Sequence, residues 1–406
     1  MQAMAGPFDA IILGGGPGGA TAALLLAHAG WSVALIERAR FPRRKVCGEY
    51  LSETNLPLFR RLGLAEDFLN LAGPPVQSVG LFARETMLRA PMPRRSATPE
   101  ARGRALGREM LDTMLLARAG SAGARVWQPW LATRLVKQGD VFLCEATNRE
   151  TRAVKLLRAK MVIAAHGSWE PGALPTQATR GAPRSRDLLG FKAHFRDCSL
   201  AAGLMPLLVF PGGYGGMVHT NDGRVSLSCC IRRDALERAR RASRSRSAAE
   251  AMWEHLSRSC RGAREALAGA RLDGGWLSTG PIRPGIRPRC SEGIMAVGNA
   301  AGEAHPIIAE GISMAMQSAW LLCDRLAREK HPLLNASLRE VGRDYSRAWR
   351  RTFAPRMRVA ACFAHLAMRP AAVGLLLPLL RLFPTALTLG AGWSGKTTDL
   401  AITSGD

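Results

Sequence analysis

The chain has 406 residues, of which 47% are apolar and 22% charged; this composition excludes a disordered polymer and is sufficient for two hydrophobic cores. Its formal net charge of +24 is carried mostly by arginine and spread along the chain, with dense patches at 232–247 and 347–358. We interpret these patches as solvated basic faces, with attraction to a membrane or an acidic partner as the alternative, and expect no nucleic acid partner.

The first predicted unit is strand, turn, helix and strand over residues 11–38, IILGGGPGGATAALLLAHAGWSVALIER. An apolar, β-branched run leads into Gly14, Gly16 and Gly19, and an Ala/Leu-rich helix follows. The segment SVALIE then forms the second strand. The pattern is typical of a βαβ unit that opens a nucleotide-binding domain.

Further elements follow in chain order. After the polar segment FPRRKVCGEYLS a helix is predicted around residues 52–64, and the Pro- and Arg-rich residues 74–104 are interpreted as strand and loop. GREMLDTMLLARAG restores a helix, and period-two and β-branched runs predict strands at 133–147 and 159–169.

The pattern changes between about 185 and 275, where extended segments are separated by Gly, Asn and Asp turns, with a helix near 245–268. These segments predict a second layer built on an antiparallel sheet. Residues 286–327 supply another strand, a loop and a long apolar helix.

The tail from about 332 is helical and strongly apolar over 371–393. Its longest uncharged run is too short to span a bilayer, and two prolines interrupt it. We predict helices that cap a cavity, with an interfacial, lipid-facing helix as the alternative.

The predicted fold class is α/β with an α+β substrate layer. A Rossmann-like nucleotide-binding domain is interrupted by an antiparallel-sheet substrate domain and followed by a C-terminal apolar helical region. The predicted boundaries are 1–75, 100–180 and 275–330 for the first domain, 76–99 and 181–274 for the second, and 331–406 for the helical region.

Nine cysteines occur without CxxC or CxxH spacing, so we expect neither a metal site nor a redox-active dithiol. The first strand is reached by about Asp9, which leaves no room for a signal peptide before the fold. We therefore expect reduced thiols and a cytoplasmic location, with membrane association possible through the tail.

The first glycine loop predicts a dinucleotide site, because glycine lets backbone N–H groups and a helix N-terminus approach a pyrophosphate closely. Glu37, about 20 residues on at the end of the second strand, is where an acidic side chain accepts a hydrogen bond from a ribose hydroxyl. This loop does not distinguish NAD from FAD.

A second glycine segment, MAVGNAAGEAHPIIAEGIS, favours FAD. It ends a strand at Gly298, keeps small residues through Gly302 and begins a helix at Gly311. Such a loop brings N–H groups to another phosphate and the positive end of a helix to an anionic ring.

Three segments, taken in their order along the chain, resemble the FAD-dependent oxidoreductases of the aromatic hydroxylase superfamily, the group A flavin monooxygenases. They are GGGPGG…E, GREMLDTMLL and GNAAGEAHPIIAEGIS. RKVCGEYLS and FPGGYGG narrow the resemblance to the branch with geranylgeranyl reductases and the monooxygenases of polyketide and quinone pathways. The resemblance covers most of residues 8–330 and implies FAD.

The resemblance implies a role for each matching residue. By this resemblance the three loop glycines bind the pyrophosphate and Glu37 binds the adenosine ribose. Arg108 contacts the flavin phosphate or the ribityl chain. The complete set of implied cofactor-binding residues is Gly14, Gly16, Gly19, Glu37, Arg38, Arg108, Gly298, Asn299, Pro306, Gly311 and Ile312.

Two departures from the family pattern stand out. Asn299 occupies the place of an aspartate that bonds the ribityl chain, and an amide can still accept through its oxygen. His166 replaces the aspartate of a strand-end Asp-Gly pair that helps to hold FAD and NADPH. His166 is interpreted either as a general acid or base or as a structural hydrogen-bonding residue.

Two further residues are candidates for catalysis. Cys47 resembles a cysteine near flavin and substrate in the reductase branch, although a buried structural cysteine is equally common. FPGGYGGMVH is interpreted as a strand and turn lining the substrate side, with Tyr214 or His219 facing the cavity, or as a plain hairpin.

The leading functional prediction is an NAD(P)H-dependent monooxygenase that uses dioxygen to hydroxylate a lipophilic aromatic, polyketide or quinone precursor in a biosynthetic pathway. One alternative is reduction of isoprenoid C=C bonds by a geranylgeranyl-reductase-like flavoprotein. Another is a non-catalytic, FAD-holding partner in a biosynthetic complex. A flavin halogenase is disfavoured, because SWEPGALP only superficially resembles the paired-tryptophan motif of that family.

Overall fold

Two large sheets and a C-terminal group of helices make up the part of the chain that the computed structural model describes. The described residues are 5–94, 102–167, 174–177, 181–243, 247–329 and 335–396. Most of SWEPGALP lies outside them.

The first sheet has eight strands and a parallel centre, in the order β17-β18-β10-β1-β2-β7, with β9 pairing β10 and β8 pairing β9. Its strands are β1 (Ala5–Leu13), β2 (Val33–Ile36), β7 (Arg125–Trp127), β8 (Trp130–Gln138), β9 (Val141–Asn148), β10 (Val154–Ala164), β17 (Cys290–Ser291) and β18 (Ile294–Ala296). Residues from three separate stretches of sequence thus build one sheet, as a discontinuous nucleotide-binding domain requires.

The second sheet has seven strands in the order β15-β11-β14-β13-β12-β4-β5. They are β4 (Ser78–Ala83), β5 (Thr86–Pro91), β11 (Leu188–Arg196), β12 (Leu204–Phe210), β13 (Gly213–His219), β14 (Val225–Arg232) and β15 (Arg271–Ile282). Two short ribbons complete the strands: β3 (Tyr50–Leu51) with β6 (Arg104–Ala105), and β16 (Gly285–Ile286) with β19 (Gly302–Glu303).

Two details of the predicted substrate layer need correction. The sheet is not wholly antiparallel, because β4 pairs β12 in parallel. The predicted boundary at residue 275 falls inside β15, which pairs β11 as far as Ile282. Gly274 and Gly275 lie where the register of β11 and β15 shifts, and this edge strand continues through the irregularity.

The helices are α1 (Pro17–His28), α2 (Leu56–Arg61), α3 (Ala65–Leu71), α4 (Arg108–Ser121), α5 (Arg233–Ala242), α6 (Ala248–Ser259), α7 (Arg261–Ala266), α8 (Gly311–Leu326), α9 (Asn335–Ala367), α10 (Pro370–Leu382) and α11 (Ala386–Ala391). In the part of the chain described, no single helix is long and apolar enough to cross a membrane. Only α9 and α10 taken together meet that test of length and composition, and they are bent by 102°.

Alternate side chains of β1 point to opposite faces of the first sheet and belong to two different hydrophobic cores. Ala10 and Ile12 pack with α1, α4, α8 and α9, whereas Ile11 and Leu13 pack with β8 and β9. One face of the second sheet packs on α5–α7. Its other face is turned toward the two glycine segments and the C-terminal helices, where the cavity described below lies.

Candidate active site

The first glycine loop leaves room for a phosphate at one position and packs tightly at two others. A Cβ on Gly14, whose φ is +109°, would lie 2.7 Å from the Ala165 carbonyl oxygen, and a Cβ on Gly19 would lie 1.9 Å from the Gly14 oxygen. A Cβ on Gly16 would meet only Arg108 Nη2, at 3.7 Å. The open space in front of the loop therefore begins at Gly16.

The N-terminus of α1 faces this space. Among the described residues no side chain caps it, and its first turn carries no acidic residue. The first N–H groups of a helix lack intrahelical partners and favour an anion. The loop and the helix terminus fit the pyrophosphate of a dinucleotide.

Glu37 fixes the loop from the neighbouring strand. Its Oε2 accepts the Gly15 N–H at 2.8 Å and its Oε1 accepts the Ala39 N–H at 2.8 Å. Each carboxylate oxygen has a second acceptor position, so the side chain fits a ribose hydroxyl as well. Glu37 and Arg38 both line the cavity.

Arg108 begins α4 opposite the loop. Its Nε and Nη2 each donate to the fully buried Asp112 at 2.7 Å. Burial opposes the charge, but the Asp112 carboxylate outweighs it and raises the pKa of Arg108 above its usual value. The result is a permanent cation, held in one orientation and suited to a flavin phosphate.

The second glycine segment lies beside the first. Gly298 has φ +60° and donates its N–H to Ser318 Oγ at 2.7 Å, while Asn299 Nδ2 donates to Glu303 Oε1 at 3.0 Å. A 3₁₀ turn at Pro306–Ile308 leads to Gly311, where α8 starts. A short loop with a helix N-terminus at its end fits the ribityl chain and ring of a flavin.

A single cavity of about 670 Å³ connects these segments. It extends to Tyr214, Gly216 and Ser228 on the second sheet and is closed by apolar side chains of α9, α10 and α11. All the predicted cofactor-binding residues line it except Gly19, which is buried in the packing of α1 on β1. The tail thus caps the cavity.

The three predicted catalytic residues occupy different parts of the cavity wall. Cys47 is half-buried, and its Sγ accepts the Glu49 N–H at 3.4 Å. His166 follows β10, next to Gly14, with Nδ1 3.0 Å from the Gly167 oxygen. Tyr214 is buried on β13, whereas His219 bonds the Leu200 carbonyl and does not line the cavity.

Tyr214 has a partner that the sequence analysis did not single out. Its Oη lies 3.3 Å from His305 Nδ1. Burial, with Cys230 beside it, raises the pKa of Tyr214 well above its usual value. Burial and the neighbouring His365 lower the pKa of His305 to about 4, so both partners are neutral at pH 7. The sequence feature that could have indicated this partner was the histidine directly before Pro306.

A buried ionic cluster was also missed. Glu49 accepts hydrogen bonds from Lys192 Nζ, from His194 Nε2 at 2.7 Å and from the Arg108 N–H at 3.1 Å. Burial opposes ionisation of this carboxyl, but His194 and Lys192 outweigh it and hold the pKa of Glu49 at about 2. The signal was LGFKAHF, in which two polar residues share one face of an otherwise apolar strand.

The described residues offer neither a cluster of metal ligands nor a disulfide bond. In the described ranges no group of three His, Cys, Asp or Glu side chains is arranged to hold a metal ion. All nine cysteines are free thiols.

Residues 8–331 match the family model described as FAD binding domain, which agrees with the geometry of the two glycine segments. The chain belongs to this family. It is an FAD-dependent oxidoreductase of the superfamily that the sequence motifs resemble.

Relatives of this flavoprotein include digeranylgeranylglycerophospholipid reductases. One from Methanopyrus kandleri is 27% identical over 342 residues, 79% of this chain and 80% of that protein. One from Thermoplasma volcanium is 31% identical over 169 residues, and the alignment spans only 39% of either protein. Among solved structures, the flavin-dependent brominase Bmp2 superimposes with a TM-score of 0.74 at 19% identity, covering 95% of this chain and 94% of that one, a likeness of fold.

Proposed function

We propose that this flavoprotein reduces a carbon–carbon double bond of a long, lipophilic substrate. The observation that carries the proposal is the continuous cavity from the flavin-binding segments to the apolar inner faces of α10 and α11, with Tyr214 and His305 in its wall. The relatives named above are reductases of a lipid with geranylgeranyl chains, which supports the same reaction class.

FAD held by the two glycine segments, Glu37 and Arg108 would supply the hydride, and NAD(P)H is proposed as its reductant. The chain itself must supply the proton that completes the reduction. Tyr214 lines the cavity and holds its proton on Oη at neutral pH, since the pKa of a phenol is near 10 and burial raises it further. In this proposal Tyr214 would deliver its proton to one alkene carbon, and the other carbon would receive the hydride.

His305 positions the Tyr214 hydroxyl for this transfer. The imidazole stays neutral down to about pH 4, and in the tautomer that carries its proton on Nε2 it accepts the phenol hydrogen bond through Nδ1, 3.3 Å from Tyr214 Oη. The exposed His365 ring lies 5.8 Å from the His305 ring, centroid to centroid, and connects the pair to solvent. We propose that protons return to Tyr214 from this side.

Hydroxylation of a lipophilic aromatic compound is the second candidate. It is supported by the motifs shared with the aromatic hydroxylases, and the same apolar cavity would accept an alkylated phenol. Reduction is preferred because the aligned relatives are reductases and because His166 replaces the aspartate of the Asp-Gly pair expected of a self-sufficient hydroxylase.

The deciding experiment follows the mass of the product. The FAD-loaded protein is reduced with dithionite under nitrogen and mixed with digeranylgeranylglycerophospholipid; a parallel reaction in air contains NADPH and an alkylresorcinol. Reduction adds two hydrogen atoms per double bond, whereas hydroxylation adds one oxygen atom. Oxygen in the product establishes the second candidate, and no product in either reaction refutes both.

Tyr214→Phe tests the proton donor. Loss of a general acid lowers the rate by about 10²- to 10⁴-fold, with FAD content unchanged. Tyr345→Phe is the matched control, because Tyr345 is also buried but donates to the Ala296 carbonyl and does not line the cavity. Equal rates for the two variants would remove Tyr214 from the mechanism.

A further inference from the structure

The outer surface of the C-terminal helices exposes a row of large apolar side chains. Among the described residues, every large apolar side chain that is more than half exposed lies here, with exposed fractions from 55% to 77%. We call these residues the apolar ridge: Leu375, Leu379, Leu382, Phe383, Leu389 and Trp393.

The helix α10 is apolar on both of its sides. Leu375, Leu379 and Leu382 recur at helical spacing on the outer face, whereas Leu377 and Leu380 on the inner face line the cavity. A surface helix of a globular protein ordinarily turns a polar face outward. The inner face is covered by the protein, so the outer face needs a second apolar environment.

The stretch of chain that carries the ridge has charges of one sign only. Residues 345–396 contain seven arginines and no Asp or Glu. Arg381 on α10 bonds Thr86 of β5, and Arg84 donates to the Pro370 carbonyl at 2.9 Å, so both hold the ridge to the edge of the second sheet. Exposed Arg369 precedes α10. This arrangement of leucine and aromatic side chains bordered by arginine is typical of helices that lie in a membrane interface.

We infer that the apolar ridge docks on an anionic lipid bilayer, lying in the plane of the headgroups with Arg84, Arg369 and Arg381 near the lipid phosphates. A net charge of +24 attracts the chain to an anionic surface and opposes pairing of two copies through the ridge. If the proposed function holds, a lipophilic substrate passes between α10 and α11 from the bilayer to the cavity.

Vesicle sedimentation tests the docking surface without any turnover. The full, FAD-loaded chain is mixed with vesicles of phosphatidylcholine alone or with phosphatidylglycerol, and the bound fraction is measured. We expect binding to the anionic vesicles and at least about tenfold weaker binding of the Leu375→Asp/Leu382→Asp variant. Leu272→Asp is the matched control, because Leu272 is 45% exposed on β15, at the opposite edge of the second sheet from β5.

Three results would overturn the inference. The first is failure of the wild-type chain to sediment with anionic vesicles. The second is binding of the ridge variant at the level of the Leu272 control. The third is a ridge change that only converts a dimer to a monomer, which would identify a second copy as the partner. FAD absorbance shows whether the double variant is folded, and the single variant Trp393→Gln tests the ridge by a smaller change, with weaker binding expected here too. Because no substrate is present, failure here is separate from failure of the proposed reduction.

Discussion

Glu49 joins the two halves of the molecule through one carboxylate. It receives a backbone N–H at the start of α4 and the side chains of Lys192 and His194 on β11. All three charged or polar side chains are buried, and Glu49 itself adopts φ +64°. A positive φ is uncommon for a residue other than glycine, so the surrounding contacts must hold it there.

Replacing this carboxylate is expected to be costly. Glu49→Gln leaves the Lys192 ammonium buried without its counter-charge and should lower the free energy of unfolding by about 3–5 kcal/mol. Chemical denaturation of the FAD-loaded protein measures the loss. Asp197→Asn is the control, because the exposed Asp197–Arg271 pair should contribute less than about 1 kcal/mol. Equal effects of the two changes would contradict this role.

The same carboxylate makes stability depend on acid. The folded pKa of Glu49 is about 2 and the unfolded value 4.5, so between these pH values the unfolded chain binds a proton that the folded chain does not. Its contribution is complete above pH 4.5 and is lost as pH falls toward 2. Melting temperatures should therefore decline more over this interval in the wild type than in Glu49→Gln.

At the scale of elements, the β1–α1 unit uses its glycines for two purposes. Gly19 permits close packing of the helix on the strand end, whereas Gly16 opens toward Arg108 and the cavity. Both positions belong to one sequence pattern, and their structural roles differ because only one of them faces the ligand space.

Alanine substitutions should separate these purposes. Gly19→Ala forces a Cβ against a backbone oxygen and should destabilise the fold by about 3 kcal/mol or more. Gly16→Ala should leave unfolding within about 1 kcal/mol of wild type but weaken FAD binding at least tenfold, because the new methyl group occupies the pyrophosphate space. Unfolding curves and FAD titration give the two readouts.

Gly120→Ala is the control for this pair. Gly120 lies inside α4, and an added Cβ would meet only Val126 Cγ2 at 4.0 Å. It should raise stability by about 0.5–1 kcal/mol with FAD binding unchanged. Weak FAD binding in Gly19→Ala alone, with Gly16→Ala normal, would reverse the assignment.

At the scale of the whole molecule, the net charge of +24 places many like charges within a few tens of ångströms. Self-repulsion of this kind opposes the compact state and is screened by salt. Surface ion pairs such as Arg40–Glu150 are weakened by salt too, but each contributes little. Repulsion should therefore dominate the salt response.

The melting temperature should rise when sodium chloride is increased from about 0.01 M to about 0.15 M, as the Debye length falls from roughly 30 to roughly 8 Å. Replacing the exposed Arg350 and Arg351 by Glu changes the charge by −4, from +24 to +20, and should reduce this dependence. A melting temperature that is constant or falls with salt would show that ion pairs dominate.

Local sequence was sufficient for the parts of the site that depend on neighbouring residues. A tight turn needs glycine at particular positions, and a helix N-terminus follows it directly. The loop at Gly14–Gly19 could therefore be predicted as a dinucleotide site without the fold, and the segment from Gly298 to Gly311 favoured FAD. Glu37 was predicted from its fixed spacing from the loop. The apolar tail indicated a cavity cap through composition alone.

Contacts between distant residues were decided only by the tertiary structure. Lys192 is 143 residues from Glu49 and His305 is 91 from Tyr214, and no local pattern specifies either pair. The end of the second sheet at Ile282, rather than at the predicted boundary at 275, depends on the pairing of β15 with β11. Backbone geometry is encoded by adjacent residues, whereas partners across a cavity are chosen by how the sheets and helices pack.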